Sequence, residues 1–169
     1  MKKFKVLWVE DGAFTDLAEY VGPLYIEGDY DLTVALNVSD AIRQIKNQRF
    51  NGIIVDIRLP PGRHPAWREF YMQRGENKVS AKLGLEFIRL LLKPGSSSNL
   101  LKTIINGMTL QWIRPSMIGV FSMEEGQTRQ KLEELGVKTI VEKSAKLASN
   151  ILLDLVREIE NKIKNDPNM

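Results

Sequence analysis

Five short apolar segments, spread along the chain, limit the folds that are open to this sequence. They lie at residues 4–9, 31–36, 52–56, 117–121 and 137–141. Their apolar residues follow one another instead of alternating with polar ones, which is the pattern of strands buried on both faces. Segments with the spacing of amphipathic helices separate them. This order favours an α/β protein with a parallel sheet covered by helices on both faces.

Helix signals lie between and after these strands. Helices are expected from about residue 13 to the Gly22-Pro23 pair, after an N-cap at Ser39 or Asp40, and over residues 83–92, 126–135 and 145–164. Gly22 and Pro23 should end or kink the first helix, because proline lacks the N–H that a helix interior uses. Ala41, Ile42 and Ile45 have the spacing of the inner face of the second helix.

The chain has the length of one domain. We expect residues 1–164 of the 169 to form a single unit and residues 165–169 to be a frayed tail. Two insertions, at about 63–83 and 93–115, lengthen the connections. Trp67, Phe70 and Tyr71 of the first insertion should pack inward rather than bind bases. The second is too apolar for a solvated linker, so it should form an extra helix that packs on the body or meets a partner.

Composition excludes several classes of function. Without cysteine the chain can form neither disulfides nor thiolate metal sites, and its one histidine, His64, is expected at the surface because it cannot build a typical zinc site. The net charge is +3 and the basic residues are spread out, which indicates a solvated surface rather than a nucleic-acid site. With neither a signal-peptide pattern nor an apolar run that could span a membrane, we expect a cytoplasmic protein.

Chemically capable residues stand at the ends of the predicted strands. Glu10 and Asp11 follow the first strand, Asp56 ends the third, Ser122 follows the fourth, and Lys143 lies just beyond the fifth. In open α/β sheets, ligands bind beyond the carboxyl ends of the strands, so these groups should converge. Oxygen ligands without Cys or His favour Mg²⁺, Mn²⁺ or Ca²⁺. A carboxylate in such a site can also act as a nucleophile and form an aspartyl phosphate.

These residues, in this order, resemble the receiver domains of the response-regulator family of two-component signalling. That family has an acidic pair after strand one, a phosphoacceptor Asp after strand three, Ser or Thr after strand four and Lys after strand five. Residues 56–60 (DIRLP) are similar to its D-x-x-M-P turn, with Leu for Met. Residues 83–86 (LGLE) resemble the M-D-G-L-E stretch that opens its third helix, and residues 136–138 (GVK) resemble its Gly-Ala segment before strand five.

The resemblance implies a fold and a role for each residue. It implies a doubly wound, flavodoxin-like sheet of five strands in the order 2-1-3-4-5. Asp56 would accept a phosphoryl group from a histidine kinase or phosphotransfer protein, and Ser122 and Lys143 would bind that group. The implied ligands of Mg²⁺, or of Mn²⁺ in its place, are Glu10, Asp11, Asp56 and the backbone carbonyl of Arg58.

The same resemblance implies a phosphorelay component and not an enzyme. Its output would pass to an unknown protein partner, with the inserted loops as one candidate surface and a homodimer as another. No DNA-binding domain follows the last predicted helix, so no direct DNA binding and no membrane contact are expected.

Three positions depart from the family and are candidate modifiers of the site. Met123 follows Ser122 where the family has a small residue, so it either swings aside or obstructs the phosphoryl group. Ser144 stands where the family often has a proline after the lysine, which makes a cis peptide bond improbable. Ile140 falls near the family's switch aromatic and cannot report phosphorylation by ring rotation.

Two other functions stay open from the sequence. The first is a degenerate receiver that is not phosphorylated and acts as a constitutive protein-binding module, with Asp56 capping a turn and Lys143 as its ion-pair partner. The second is a phosphatase of the haloacid-dehalogenase type, which also uses an Asp at a strand end. Those enzymes have a second Asp two residues later, where this chain has Arg58.

Overall fold

A parallel five-stranded sheet forms the centre of the computed structural model, which describes residues 1–123 and 126–168. The strands are β1 (Phe4–Val9), β2 (Tyr30–Ala35), β3 (Gly52–Val55), β4 (Ile118–Ser122) and β5 (Thr139–Glu142). Their order across the sheet is β2-β1-β3-β4-β5, and every neighbouring pair is parallel. The predicted strand number, direction and order are therefore confirmed.

Eight α-helices lie in the part of the chain that the structure describes. They are α1 (Gly22–Glu27), α2 (Val38–Asn47), α3 (Pro65–Gln73), α4 (Lys78–Ala81), α5 (Leu83–Leu92), α6 (Asn99–Lys102), α7 (Gln127–Glu134) and α8 (Ile151–Lys164). Short 3-10 turns occur at Ala18–Val21, Pro94–Ser96, Thr103–Ile105 and Pro115–Met117. None of the helices described, including the longest, α8, combines the length and the apolar character needed to cross a bilayer.

The two faces of the sheet are covered by different helices, because successive side chains of a strand point to opposite faces. Leu7 and Val9 of β1 belong to the core formed with α2, α3 and α5. Val6 and Trp8 belong to the core formed with α1 and α8. Burial on both faces explains why the strands appear in the sequence as continuous apolar runs.

The segment after β1 differs from the prediction. Residues 11–17 form turns, a 3-10 turn follows at Ala18–Val21, and α1 begins at Gly22 instead of ending there. Pro23 lies in the first turn of α1, where helix N–H groups have no intrahelical partner and a missing one costs nothing. Pro23 therefore marks the start of a helix, whereas the sequence predicted that it marks the end of one.

The N-cap of α2 also differs from the prediction. It is Asn37, whose Oδ1 accepts the Asp40 N–H at 2.8 Å, and not Ser39 or Asp40, which lie inside the first turn. Asn, Ser and Asp are all good N-caps, so residue type does not decide between the three positions. The backbone decides, because Asn37 is extended and the helix begins at the residue after it. The predicted inner face, which includes Ile42, is buried as expected.

The last helix starts later than predicted. Residues 145–150 are not helical, and α8 begins at Ile151. In the expected frayed tail, Asp166 accepts hydrogen bonds from the Ser116 hydroxyl at 2.6 Å and from the Asn168 N–H at 2.9 Å. Met169 lies outside the described residues.

Both insertions pack into the body, as predicted from their apolar residues. The first contains α3 and α4, and the Trp67 and Phe70 side chains of α3 are buried in the α2–α5 face of the core. His64, which is exposed as expected, caps α3 because its Nδ1 accepts the Ala66 N–H at 3.2 Å. The second insertion contains α6, whose Leu101 is completely buried.

The role of the first insertion can be tested at Trp67. Its side chain is 0% exposed, whereas Met72 on the same helix is 62% exposed. We expect Trp67→Ala to lower the free energy of unfolding in urea by about 3–5 kcal/mol, because it leaves a large cavity. Met72→Ala should change it by less than about 0.5 kcal/mol. Equal small effects would show that α3 is not part of the core.

Candidate functional site

Hydrogen bonds of the sheet hold the candidate residues at its carboxyl edge. The Asp56 N–H, one residue past β3, donates to the Val9 carbonyl of β1 at 3.0 Å. The Lys143 N–H, one residue past β5, donates to the Ser122 carbonyl of β4 at 2.8 Å. Glu10 directly follows β1. The ladder therefore fixes the backbone from which each of these side chains projects.

Three carboxyl groups meet at this edge. Oxygen atoms of Glu10, Asp11 and Asp56, one from each residue, lie within 4.8 Å of one another. Glu10 is 2% exposed and Asp56 is 5% exposed, whereas Asp11 is half-buried. We call these three residues the acidic cluster. Burial of like charges so close together is costly, so the cluster needs cations and hydrogen-bond donors around it.

Lys143 supplies the first of these cations. Its Nζ donates to Glu10 Oε2 at 2.5 Å and lies 3.4 Å from Asp56 Oδ2. The ammonium group is also 5.4 Å from the centre of the Phe121 ring, within the range of a cation–π contact. The side chain thus enters the cluster although Ser144 replaces the family's proline. The described residues contain no cis peptide bond.

Ser122 orients the Asp56 carboxylate. Its hydroxyl donates to Asp56 Oδ1 at 2.8 Å and accepts the Ile57 N–H at 3.3 Å. Because the hydroxyl is held by a backbone donor, it presents its own hydrogen to the carboxylate. One oxygen of Asp56 is therefore held by Ser122, while the other lies nearer Lys143.

A second cation reaches the cluster from the first insertion. Lys78, the first residue of α4, places its Nζ 2.6 Å from Asp11 Oδ2. The Asp11 contact raises the pKa of Lys78 most, and the charges of Asp56 and Glu10 raise it further against the effect of burial. The sequence predicted no role for Lys78 in the site. No local sequence pattern marks Lys78, because its partner Asp11 lies 67 residues earlier in the chain.

The surroundings of Glu10 disfavour the ionised form of its carboxyl group. Burial and then the negative charge of Asp56 raise its pKa from 4.5 to about 7, although Lys143 and the Gly12 N–H act in the opposite direction. The Gly12 N–H donates to Glu10 Oε1 at 3.1 Å. Glu10 therefore holds its proton far more strongly than an exposed glutamate does.

Gly84 fixes the distance between α5 and the phosphoacceptor candidate. A Cβ atom at this position would lie 1.9 Å from the Asp56 carbonyl oxygen and 2.7 Å from the Ile57 Cα, and neither backbone atom can move aside freely. The Gly84 N–H donates to the Ile57 carbonyl at 3.0 Å. The first turn of α5 is thus in direct contact with the backbone of Asp56.

The remaining predicted positions lie on β5 or in the segments that follow β3, β4 and β5. Met123 is 57% exposed, so most of its side chain lies in solvent. Ile140 on β5 is half-buried against the core, and Ser144 is exposed, with its hydroxyl donating to the Lys146 carbonyl at 3.0 Å. Arg58 is half-buried in the bend after β3. Its backbone carbonyl as a metal ligand stays a prediction.

The donor set of the cluster fits a small hard cation. Mg²⁺ binds oxygen atoms at 2.0–2.1 Å in an octahedron, so its ligand atoms lie about 3–4 Å apart. The three carboxylates span up to 4.8 Å and would need to close by a small side-chain movement. Only one or two carboxylates are usually required, because Mg²⁺ keeps several waters. The acidic cluster is therefore compatible with Mg²⁺ or Mn²⁺.

Comparison with known proteins gives the fold a family likeness. No protein-family model and no curated protein matches the sequence. Among solved structures, a CheY-like response regulator receiver domain from Methanospirillum hungatei JF-1 has a TM-score of 0.59 at 16% identity, over 96% of this chain and 98% of that one. Chemotaxis response regulator CheY4 of Vibrio cholerae has a TM-score of 0.55 at 15% identity, over 93% and 98%.

A third likeness is to the non-phosphorylated HemR receiver domain from Leptospira biflexa, with a TM-score of 0.53 and 19% identity over 93% of this chain and 94% of that one. These matches cover nearly the whole length of both chains. This chain therefore has the receiver-domain fold of the CheY type. At such low identities the likeness concerns the fold, and the chemistry has to be argued from the residues.

Gly84 provides a test of the contact between α5 and Asp56. Alanine normally stabilises a helix relative to glycine by about 1 kcal/mol. We expect Gly84→Ala to lower the free energy of unfolding instead, by about 1–3 kcal/mol, because the added carbon overlaps the backbone of Asp56. Gly95→Ala is the matched control, since a Cβ there meets nothing within 4 Å. A stabilising Gly84→Ala would contradict the close approach.

The proton on Glu10 predicts a pH dependence of stability. In buffer with EDTA, folded Glu10 binds its proton more tightly than unfolded Glu10, so the free energy of unfolding should fall as pH rises from 4.5 to about 7. Glu10→Gln removes this term, so its stability relative to wild type should increase across the window, by on the order of 3 kcal/mol. Exposed Glu134→Gln should change nothing, and parallel curves for Glu10→Gln would refute the raised pKa.

Proposed function

We propose that this chain is a receiver-type signalling domain that accepts a phosphoryl group on Asp56. The observation that carries the proposal is the surroundings of the Asp56 carboxylate. Ser122 holds one oxygen at 2.8 Å, and Lys143 lies 3.4 Å from the other. Glu10 and Asp11 complete a cluster of oxygen ligands beside them. This is a site in which a carboxylate can be a nucleophile and new negative charge can be neutralised.

The residues divide the chemistry among them. An oxygen of Asp56 attacks phosphorus and forms an O–P bond, while the bond from phosphorus to the donor breaks and the leaving group keeps its electron pair. The ammonium of Lys143 and the hydroxyl of Ser122 are placed to bind the oxygens of the transferred group, since both already contact the carboxylate that receives it. A histidine kinase or phosphotransfer protein is the donor that this fold suggests.

Mg²⁺ bound by Glu10, Asp11, Asp56 and the Arg58 carbonyl would neutralise charge on the phosphoryl oxygens. Glu10 must lose its proton to serve as a ligand, so its raised pKa favours metal binding at neutral or higher pH. Asp56, as the nucleophile, must likewise be ionised. The chain's own contribution is to hold these oxygens together at the edge of the sheet.

The output is proposed to pass through protein contacts. Ile140 replaces the aromatic residue that such domains commonly use as a switch, so the signal needs another route. The first insertion touches the site directly through Lys78, and Lys82 at its end donates to Thr128 of α7 at 2.7 Å. These contacts support the proposal that the inserted segment reports the state of Asp56 to a partner protein or to a second copy of the chain.

Phosphoryl acceptance is tested by incubation with Mg²⁺ and a small acyl phosphate, followed by mass spectrometry of the intact protein. We expect a mass increase of one phosphoryl group in the wild type and none in Asp56→Asn. Exposed Asp31→Asn on β2 is the matched control and should be modified like the wild type. Absence of the adduct when EDTA replaces Mg²⁺ in the incubation would identify the metal requirement.

A degenerate receiver is the second candidate, and two observations favour it. Asp56 is only 5% exposed, and the ammonium groups of two lysines contact the acidic cluster. Such a domain would bind its partner in one constitutive state. An unmodified wild type that also gives no response to beryllofluoride would support this function over phosphoryl acceptance. Continuous phosphate release over many turnovers would instead indicate a phosphatase, which the Arg58 position argues against.

A further inference from the structure

The contact between Lys78 and Asp11 joins the first insertion to the acidic cluster. It is the single direct ion pair that the described part of the insertion makes with the cluster, at 2.6 Å. The side chain of Lys78 is 44% exposed and that of Asp11 is 30% exposed. An ion pair with this much access to water is held weakly, because solvent screens it. It is therefore a contact that a competing cation can break.

The backbone on either side of the helix that carries Lys78 adopts an unfavourable conformation. Among the described residues other than glycine, only Glu76 and Lys82 have positive φ, at 52° and 48°. They stand on either side of α4, which has four residues. A residue with a side chain is disfavoured in this left-handed region, by roughly 1–2 kcal/mol. One such residue lies on each side of this short helix. The backbone preferences of these residues alone therefore do not hold the segment in place.

Local hydrogen bonds keep α4 itself folded. The Asn77 side chain accepts the Val79 N–H at 2.8 Å, and the Ser80 hydroxyl donates to the Arg74 carbonyl at 2.9 Å. Ala81 is buried and anchors the end of the helix. Lys78 therefore projects from a small preformed unit whose position depends on its flanking residues.

A divalent cation and the Lys78 ammonium compete for the same oxygens. Asp11 Oδ2 already bonds to Nζ, and the charges of Asp56 and Glu10 also attract Lys78. A cation with two charges among these carboxylates would repel an ammonium 2.6 Å from one of its ligands. Lys143 contacts Glu10 and Asp56, whereas Lys78 contacts Asp11, so Lys78 is the lysine that competes with a metal for the Asp11 carboxylate.

We propose that Lys78 is a built-in counter-ion of the acidic cluster, and that Mg²⁺ binding displaces it and releases α4 from the site. This inference rests on the proposed metal-binding function and adds a regulatory element to it. The insertion then lowers the affinity of the site for Mg²⁺ in the resting domain. The same displacement changes the position of α4, so the surface of the insertion differs between the metal-free and the metal-bound domain.

The first experiment measures Mg²⁺ affinity by isothermal titration calorimetry with MgCl₂. Lys78→Gln should bind Mg²⁺ about five- to tenfold more tightly than the wild type, which corresponds to about 1–1.4 kcal/mol. Lys78→Arg keeps the charge and should bind within about twofold of the wild type. Lys93→Gln removes an exposed lysine at the far end of α5 and should leave the affinity unchanged.

The second experiment follows amide hydrogen exchange over residues 74–82 with and without MgCl₂. Mg²⁺ should speed exchange of these amides in the wild type, because α4 loses its tie to Asp11. In Lys78→Gln the exchange should already be fast without metal and should change little when metal is added. Residues 127–134 of α7 serve as an internal reference for overall stability.

The outcomes separate this inference from the function on which it rests. Equal Mg²⁺ affinity of wild type and Lys78→Gln, or an equal gain in Lys93→Gln, would overturn the role of Lys78 and leave the metal site intact. Slower exchange over 74–82 on adding Mg²⁺ would also overturn it. If none of the variants binds Mg²⁺, the metal site itself is refuted, and Lys78 is then a structural partner of Asp11.

Discussion

Two carboxylates that are almost completely withdrawn from water, those of Glu10 and Asp56, set the conditions for the whole carboxyl edge of the sheet. Burial of such groups costs free energy unless opposite charge and hydrogen-bond donors replace the lost water. Lys143 and Ser122 provide that replacement, and both come from the two strands beyond β3. The cluster therefore depends on the register of four neighbouring strands, β1, β3, β4 and β5, and Lys78 adds a contact from outside the sheet.

Much of this arrangement could be predicted because parallel strands bring their carboxyl ends to one edge. Apolar runs located the strands, and the residues just past them, Glu10, Asp56 and Lys143, could be placed together by position alone. The order of the strands could not be derived in this way, because no local pattern states which strands are neighbours. It came from the resemblance to receiver domains, and the structure agrees with it.

The predictions that were wrong share a physical cause. Pro23 suits the first turn of a helix as well as the residue after its end, and Asn37, Ser39 and Asp40 are all good N-caps. In each case the choice is made by tertiary packing, which a local pattern does not contain. Lys78 could not be placed at the site for a related reason, since its partner Asp11 lies 67 residues earlier in the chain. Contacts at that separation are fixed by the fold of the insertion.

The glycine at the start of α5 has a consequence for how this fold can vary. A side chain at position 84 would bring a carbon to 1.9 Å from the Asp56 carbonyl, whereas an ordinary contact begins near 3.4 Å, so the helix would have to retreat by about 1.5 Å. The size of residue 84 thus determines how closely α5 can pack against the sheet. A relative with a larger residue here must carry its helix farther out and leave its aspartate more open to approaching donors.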